Sequence, residues 1–145
     1  METQAKTKKM KYGKMAPLIY LINYKLNKLL FYLRGNNPSI PEPNKWSLFG
    51  GVLEEGETKE SGLKRELKEE INIPVSQIDY LGQMKNSEGQ ILYFSKGKIY
   101  GDKLIKIKIT EGQRVNYFAP HKIAGNNFET SVEEFYRKNK GEILK

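Results

Sequence analysis

The segment Gly51-Val52-Leu53-Glu54-Glu55-Gly56-Glu57, followed after Thr58 to Lys64 by Arg65-Glu66-Leu67-Lys68-Glu69-Glu70-Ile71-Asn72-Ile73, carries the most information in this chain. Thr58 has the side chain of an N-cap, able to accept from an orphan amide of a first helical turn. Lys, Arg, Glu and Leu fill most of the stretch to about Ile71, and Pro74 enforces an end, so the spacing predicts a helix from Thr58 to about Ile71. On a helix advancing about 100° per residue, Glu66, Glu69 and Glu70 fall within one arc, while Leu63, Leu67 and Ile71 form an adjacent apolar stripe. Like charges at this spacing normally cost a helix a few tenths of a kcal/mol. A hard divalent cation, which prefers oxygen ligands, would remove that conflict. Standing alone, such a face reads as ordinary solvated charge; the loop before it changes the reading.

Working outward, Trp46 to Phe49 reads as a short buried strand ended by Gly50-Gly51, residues that tolerate close approach of a ligand or ion to the main chain. Upstream, the β-prone runs Leu18 to Tyr24 and Lys28 to Leu33 flank Lys25-Leu26-Asn27 as a hairpin, and Pro38, Pro41 and Pro43 hold the chain in a loop up to Trp46. Downstream, Ile78 to Lys85, Gln90 to Tyr100, Lys103 to Ile109 and Val115 to Phe118 read as strands. Ser131-Val132-Glu133-Glu134 has capping-box spacing before a C-terminal helix that presents Val132, Phe135 and Tyr136 to the sheet. The pattern is that of an α/β or α+β chain without internal repeats. Residues 1–14, with Lys6, Lys8, Lys9, Lys11 and Lys14, are expected to form a flexible basic arm, and residues 15–145 one domain.

Composition narrows the chemistry. The chain has 145 residues and no cysteine, which excludes disulfides, thiol nucleophiles and cysteine-held zinc, and its single histidine, His121, cannot make a histidine cluster. Any metal must be held by oxygen. A net charge of +8 favours polyanions such as nucleotides or nucleic acid. Most of that charge is lysine, with only Arg34, Arg65, Arg114 and Arg137, so sequence-specific DNA reading is not expected. The apolar runs are far shorter than the roughly 20 residues of a membrane span, and Met1 to Lys14 lacks the features of a secretory or transit signal, so a cytoplasmic protein without a membrane partner is expected.

Residues 51–73 resemble the signature of the Nudix hydrolases, G-x5-E-x7-R-E-U-x-E-E-x-G-U with U a bulky aliphatic residue. Gly51, Glu57, Arg65, Glu66, Leu67, Glu69, Glu70 and Ile73 match; Asn72 stands where the family has glycine, and asparagine tolerates left-handed backbone better than most residues. The resemblance implies an α/β/α sandwich around a mixed β-sheet. It implies magnesium or manganese (Mg2+ or Mn2+) held by Glu66, Glu69, Glu70 and the Gly50 carbonyl, with Glu57 and Arg65 orienting the cluster. The implied reaction splits a diphosphate linkage in a nucleoside diphosphate derivative or nucleoside triphosphate, releasing a nucleoside monophosphate and a phosphorylated product or pyrophosphate. The family does not keep its general base in one place: Glu57 and Glu66 are candidates, and Glu111 lies in an inter-strand loop where some members carry a further metal ligand or base, the alternative being a surface turn glutamate. Two other readings stay open: a hydrolase of dinucleotide polyphosphates or RNA 5′-triphosphate ends, and a noncatalytic Nudix-fold regulator that binds a nucleotide or RNA. Substrate-binding residues lie outside the signature and are not identified by it.

Trp46, Tyr93, Phe94, Tyr117 and Phe118 offer faces for base stacking, although aromatic residues on strands ordinarily build core. Histidine is a residue type that can act as an acid or phosphate contact; with no partner motif around His121, a structural histidine is the simpler reading.

Overall fold

The computed structural model describes residues 14–71, 74–101 and 112–145. The basic arm (except Lys14), Asn72 with Ile73, the strand expected over Lys103 to Ile109, and Glu111 lie outside the described residues. The elements, in order, are β1 (Met15–Asn23), β2 (Lys28–Arg34), β3 (Trp46–Ser47), β4 (Phe49–Gly50), α1 (Lys59–Glu70), β5 (Ser76–Lys85), β6 (Ile91–Ile99), β7 (Gly112–Phe118), a 3-10 turn (Pro120–Lys122) and α2 (Thr130–Ile143).

The expected hairpin forms. Asn23 closes it: its buried side chain accepts from the amides of Lys25 and Leu26, and Asn27 takes a left-handed φ of 54°. β1 then pairs in parallel with β6 along its length, and β6 pairs antiparallel with β5, so the sheet is mixed. β1 and β2 pair only near the hairpin, at Leu21 to Asn23 with Lys28 to Leu30. Beyond that they diverge, and Trp46–Gly50 fills the gap: β3 pairs with Tyr32 and Leu33 of β2, and β4 with Leu18 and Ile19 of β1. The single strand expected at Trp46 to Phe49 is therefore two short pieces, each bonded to a different neighbour. This wedge carries Gly50 and Gly51 to the sheet's open end.

Alternation along the central strands sorts the core into two layers, the α/β/α sandwich. Ile19 and Leu21 of β1 and Leu30 of β2 face α1, where Leu63, Leu67 and Ile71 meet them. Tyr20, Ile22, Leu29 and Phe31 face α2 with Val132, Phe135 and Tyr136; the Tyr20 hydroxyl donates to the Val132 carbonyl at 2.8 Å. Burying one such leucine or isoleucine stabilises by about 1.5–3 kcal/mol, several times the cost of a like-charged helix pair. The apolar stripe of α1 thus decides that the helix docks with its carboxylates crowded together.

Thr58 caps α1 as expected, accepting from the Ser61 amide at 3.1 Å while the Ser61 hydroxyl takes the Thr58 amide. The capping box expected at Ser131 is not used. The N-cap is Glu129, two residues earlier, α2 begins at Thr130, and the Thr130 amide donates at 2.8 Å to the carboxylate of Glu42, far away in sequence. No helix of the described residues is long and apolar enough to cross a membrane.

Candidate active site

The loop from Gly51 to Glu57 folds back on α1, and Arg65 is what holds it. Its Nε donates to Glu57 Oε2 at 2.7 Å and its Nη2 to Glu57 Oε1 at 3.1 Å, the two-pronged fit of guanidinium to carboxylate. Nη1 reaches Glu66 Oε1 at 3.1 Å and Glu69 Oε2 at 3.3 Å, and Nη2 reaches the Val52 carbonyl at 3.4 Å. The Glu54 amide also donates to Glu57. The hydrogen bond from Arg65, then that amide, hold the Glu57 carboxyl below the ordinary carboxylate range, and Glu57 in turn holds Arg65 charged. Leu53 packs closely on Gly62, where a Cβ would lie 2.3 Å from the Leu53 side chain.

Gly50 is sterically required, and Gly51 lies under the Glu66 carboxylate. Gly50 has φ +139°, and a Cβ on it would lie 2.1 Å from the Pro17 carbonyl oxygen. At Gly51 a Cβ would lie 2.6 Å from Glu66 Oε1, so the carboxylate of Glu66 rests directly on bare main chain. The structure thus brings Gly50, Gly51, Glu57, Arg65 and Glu66 together. Glu69 stands next to them but largely in solvent, with 59% of its side chain exposed. Glu70 has a buried Oε2 and its charge bears on Tyr32, whose phenol is pushed up to about 12, chiefly by burial, with Arg34 opposing.

The donors of this cluster are all oxygens, suited to a hard cation, and the bare backbone at Gly51 leaves a carboxylate cradle that a Cβ would fill. As the side chains stand, no three Asp, Glu, His or Cys among the described residues converge on one point able to hold an ion. Arg65 lies between Glu66 and Glu69, bonded to both. The charge conflict among the helix carboxylates is relieved in part by Arg65.

From Gly50 and Gly51 a groove of about 720 Å³ runs between the wedge and the start of α2, lined by Leu18, Leu48, Tyr32 and Arg34 and closed by Glu129. Arg34 Nη1 stands 3.4 Å from Glu129 Oε2, and the Ser47 hydroxyl donates to Glu129 Oε1 at 2.7 Å. Burial raises the Glu129 carboxyl despite these two partners. Sequence reasoning missed this trio: the three residues follow no period and no motif. Two of the five stacking candidates, Trp46 and Phe94, are core, and none of the five lines this groove. Trp46 and Phe94 are buried, and Phe118 packs edge-on against Trp46 at 4.9 Å. The Tyr117 hydroxyl accepts from the Asn23 amide, and Tyr93 is half-buried on β6. His121 is exposed on the 3-10 turn and does not line the groove.

Comparison with known proteins agrees with this architecture. The family model of the NUDIX domain matches residues 15–137. Among solved structures, the MutT protein from Methanosarcina mazei superposes with a TM-score of 0.68 at 21% identity, over 88% of this chain and 93% of that one. The NUDIX domain of Shewanella oneidensis NrtR, complexed with ADP ribose, gives 0.72 at 17% identity over 88% and 86%. A NUDIX hydrolase from Nitrosomonas europaea gives 0.64 at 22% identity over 88% and 72%.

Proposed function

Because this chain belongs to the NUDIX domain family, we propose that it is a metal-dependent hydrolase of a diphosphate linkage in a nucleotide derivative or nucleoside triphosphate. The observation that carries this reading is the Arg65 brace: one guanidinium ties Glu57 of the loop to Glu66 and Glu69 of the helix, directly beside the Gly50-Gly51 backbone. The products would be a nucleoside monophosphate and a phosphorylated product or pyrophosphate.

Glu66, Glu69, Glu70 and the Gly50 carbonyl would hold Mg2+ or Mn2+, which when bound supplies a Lewis acid for the phosphoryl oxygens and acidifies a water. Arg65 and Glu57 position those carboxylates. Glu57, ionised and gripped through both oxygens, is poorly placed to take a proton, which leaves Glu66 and Glu111 as bases. The groove suits the nucleoside part of a substrate: about 720 Å³ lies within the range of small-molecule sites, roughly 300–1,000 Å³. Arg34, Ser47 and Glu129 supply the polar groups that would orient it, and Arg34 a positive charge for a polyphosphate.

One observation favours a noncatalytic nucleotide-binding regulator, namely that Arg65 now separates Glu66 from Glu69. Screening nucleoside diphosphate derivatives, dinucleotide polyphosphates and triphosphates with Mg2+ or Mn2+, with chromatographic identification of products, decides between them. Hydrolysis that chelator abolishes is the expected result. Nucleotide binding with no turnover under either metal would give the regulator reading the field, and full activity in chelator would remove the proposed chemistry.

A further inference from the structure

A second depression, of about 290 Å³, opens on the α1 side of the sheet between the first turns of that helix and strands β5 and β6. Tyr80, Tyr93 and Ile78 line it, with Lys59, Lys64 and one acid, Glu60. None of the carboxylates of the candidate active site reaches it. Tyr80 is 46% exposed and Ile78 36%, unusual for large apolar surface on a strand pair. The Lys59 ammonium stands 4.1 Å from the centroid of the Tyr80 ring and 5.3 Å from that of Tyr93, and the two rings are 6.5 Å apart. A partly exposed aromatic ring with an ammonium over its face and a second lysine in the same pocket has the groups to take a base by stacking and its phosphate by charge. An exposed ammonium–ring contact is weaker than a stacked base, so a base can displace Lys59 from the ring and leave the ammonium for the phosphate.

We propose that the Tyr80–Tyr93 pocket binds a nucleotide unit of single-stranded nucleic acid, its base on Tyr80 and its phosphates on Lys59 and Lys64. A strand, rather than a free nucleotide, fits for two reasons. The neighbouring open depression shares Lys64 and Ile78 and adds Lys68, so the lysines continue along α1 beyond the reach of one phosphate. The chain as a whole carries a charge of +8, which attracts a polyanion over a distance. Contacts made to phosphates and to the face of a base carry little sequence information, so binding is independent of sequence.

The inference concerns binding without turnover and stands apart from the proposed hydrolysis. It is tested with the full chain in chelator, by fluorescence anisotropy of a labelled single-stranded oligoadenylate, with the duplex of the same sequence and AMP as competitors. Tyr80→Ala is expected to weaken strand binding about 5- to 150-fold, and Tyr80→Phe, which keeps the ring, by no more than about twofold. Lys64→Ala should flatten the log–log salt dependence by about 0.7. Thermal unfolding of these surface variants, and hydrolysis of a mononucleotide substrate, should stay at the level of the parent chain. Failure of the strand to bind, unchanged binding in both alanine variants, a duplex that competes as well as the single strand, or AMP that binds through Tyr80 as tightly as the strand would each overturn the proposal.

Discussion

Two arginine–glutamate pairs flank the candidate active site, and they are built in opposite ways. Arg65 grips Glu57 through two hydrogen bonds of 2.7 and 3.1 Å, and the carboxyl is lowered. Arg34 meets Glu129 through one nitrogen at 3.4 Å, and the carboxyl is raised because burial outweighs that contact and the bond from Ser47. Identical residue types therefore hold different jobs. Where bonding outweighs desolvation, the pair is a brace with its valences filled. Where desolvation outweighs bonding, the acid takes up a proton more readily, and it lines a groove.

If the first pair is a brace for the helix carboxylates, the largest losses should come from the groups it presents. Glu69→Gln and Glu70→Gln keep side-chain shape and remove the charge proposed to hold the cation, so kcat/KM should fall more than about 100-fold with the fold retained. Steady-state kinetics beside circular dichroism checks this; near-normal turnover in both variants would detach the brace from the chemistry. Arg65→Lys comes next. It keeps the charge but loses the fork, and partners that orient ligands typically contribute about 10- to 100-fold in metal affinity or activity. The metal concentration for half activity should rise accordingly, and an unchanged requirement would make the pair merely structural.

The second pair should behave differently under the equivalent change. Glu129→Gln preserves an acceptor for Ser47 and weakens the contact with Arg34. With the proposed role in orienting the nucleoside, KM should shift about 3- to 10-fold, the size of one hydrogen bond of about 0.5–1.5 kcal/mol, with kcat little changed. A fall in kcat alone would place Glu129 with the reacting groups instead.

The brace was legible in sequence and the groove was not, for physical reasons. Thr58, the Leu63-Leu67-Ile71 stripe and Pro74 are local signals, each within a few turns of what it controls, and α1 forms where they put it. The apolar run Ile19 to Ile22 marks β1 as a strand, but its sorting between two layers is seen only in the fold. Arg34, Ser47 and Glu129 meet only because the wedge of β3 and β4 separates β1 from β2, and Ser47 lies 82 residues from Glu129. The capping box at Ser131 failed on the same ground: Glu42, 88 residues from Thr130, supplies the acceptor at the start of α2. Periodicity reports which face is buried; it says nothing of which distant side chain arrives there. Arg65 was readable as a residue of the cluster, but its place between Glu66 and Glu69 depends on rotamers, which the sequence does not encode locally.

The smallest expected effect, and the one that separates the pairs without any substrate, is the pH dependence of stability. Glu57 has a folded value below its ordinary one, so its contribution is present above the ordinary carboxylate range and is lost as pH falls through the lowered value. Glu129 has a folded value above its ordinary one. Its contribution is complete below the ordinary range and is lost as pH rises through the raised value. Removing each charge should therefore tilt the curve in opposite senses. Relative to the parent chain, Glu57→Gln should compare most favourably in acid, where the brace is already lost. Glu129→Gln should gain ground as pH climbs out of the carboxylate range, because glutamine avoids the buried charge. Partly solvated pairs contribute about 0–1 kcal/mol, and 1 kcal/mol moves the Tm of a chain of this size by roughly 2–8 °C. Thermal unfolding of the three proteins across the acid-to-neutral range measures the difference. Parallel curves for the two variants would mean that both glutamates sit in equivalent surroundings and that the contrast between brace and groove does not hold.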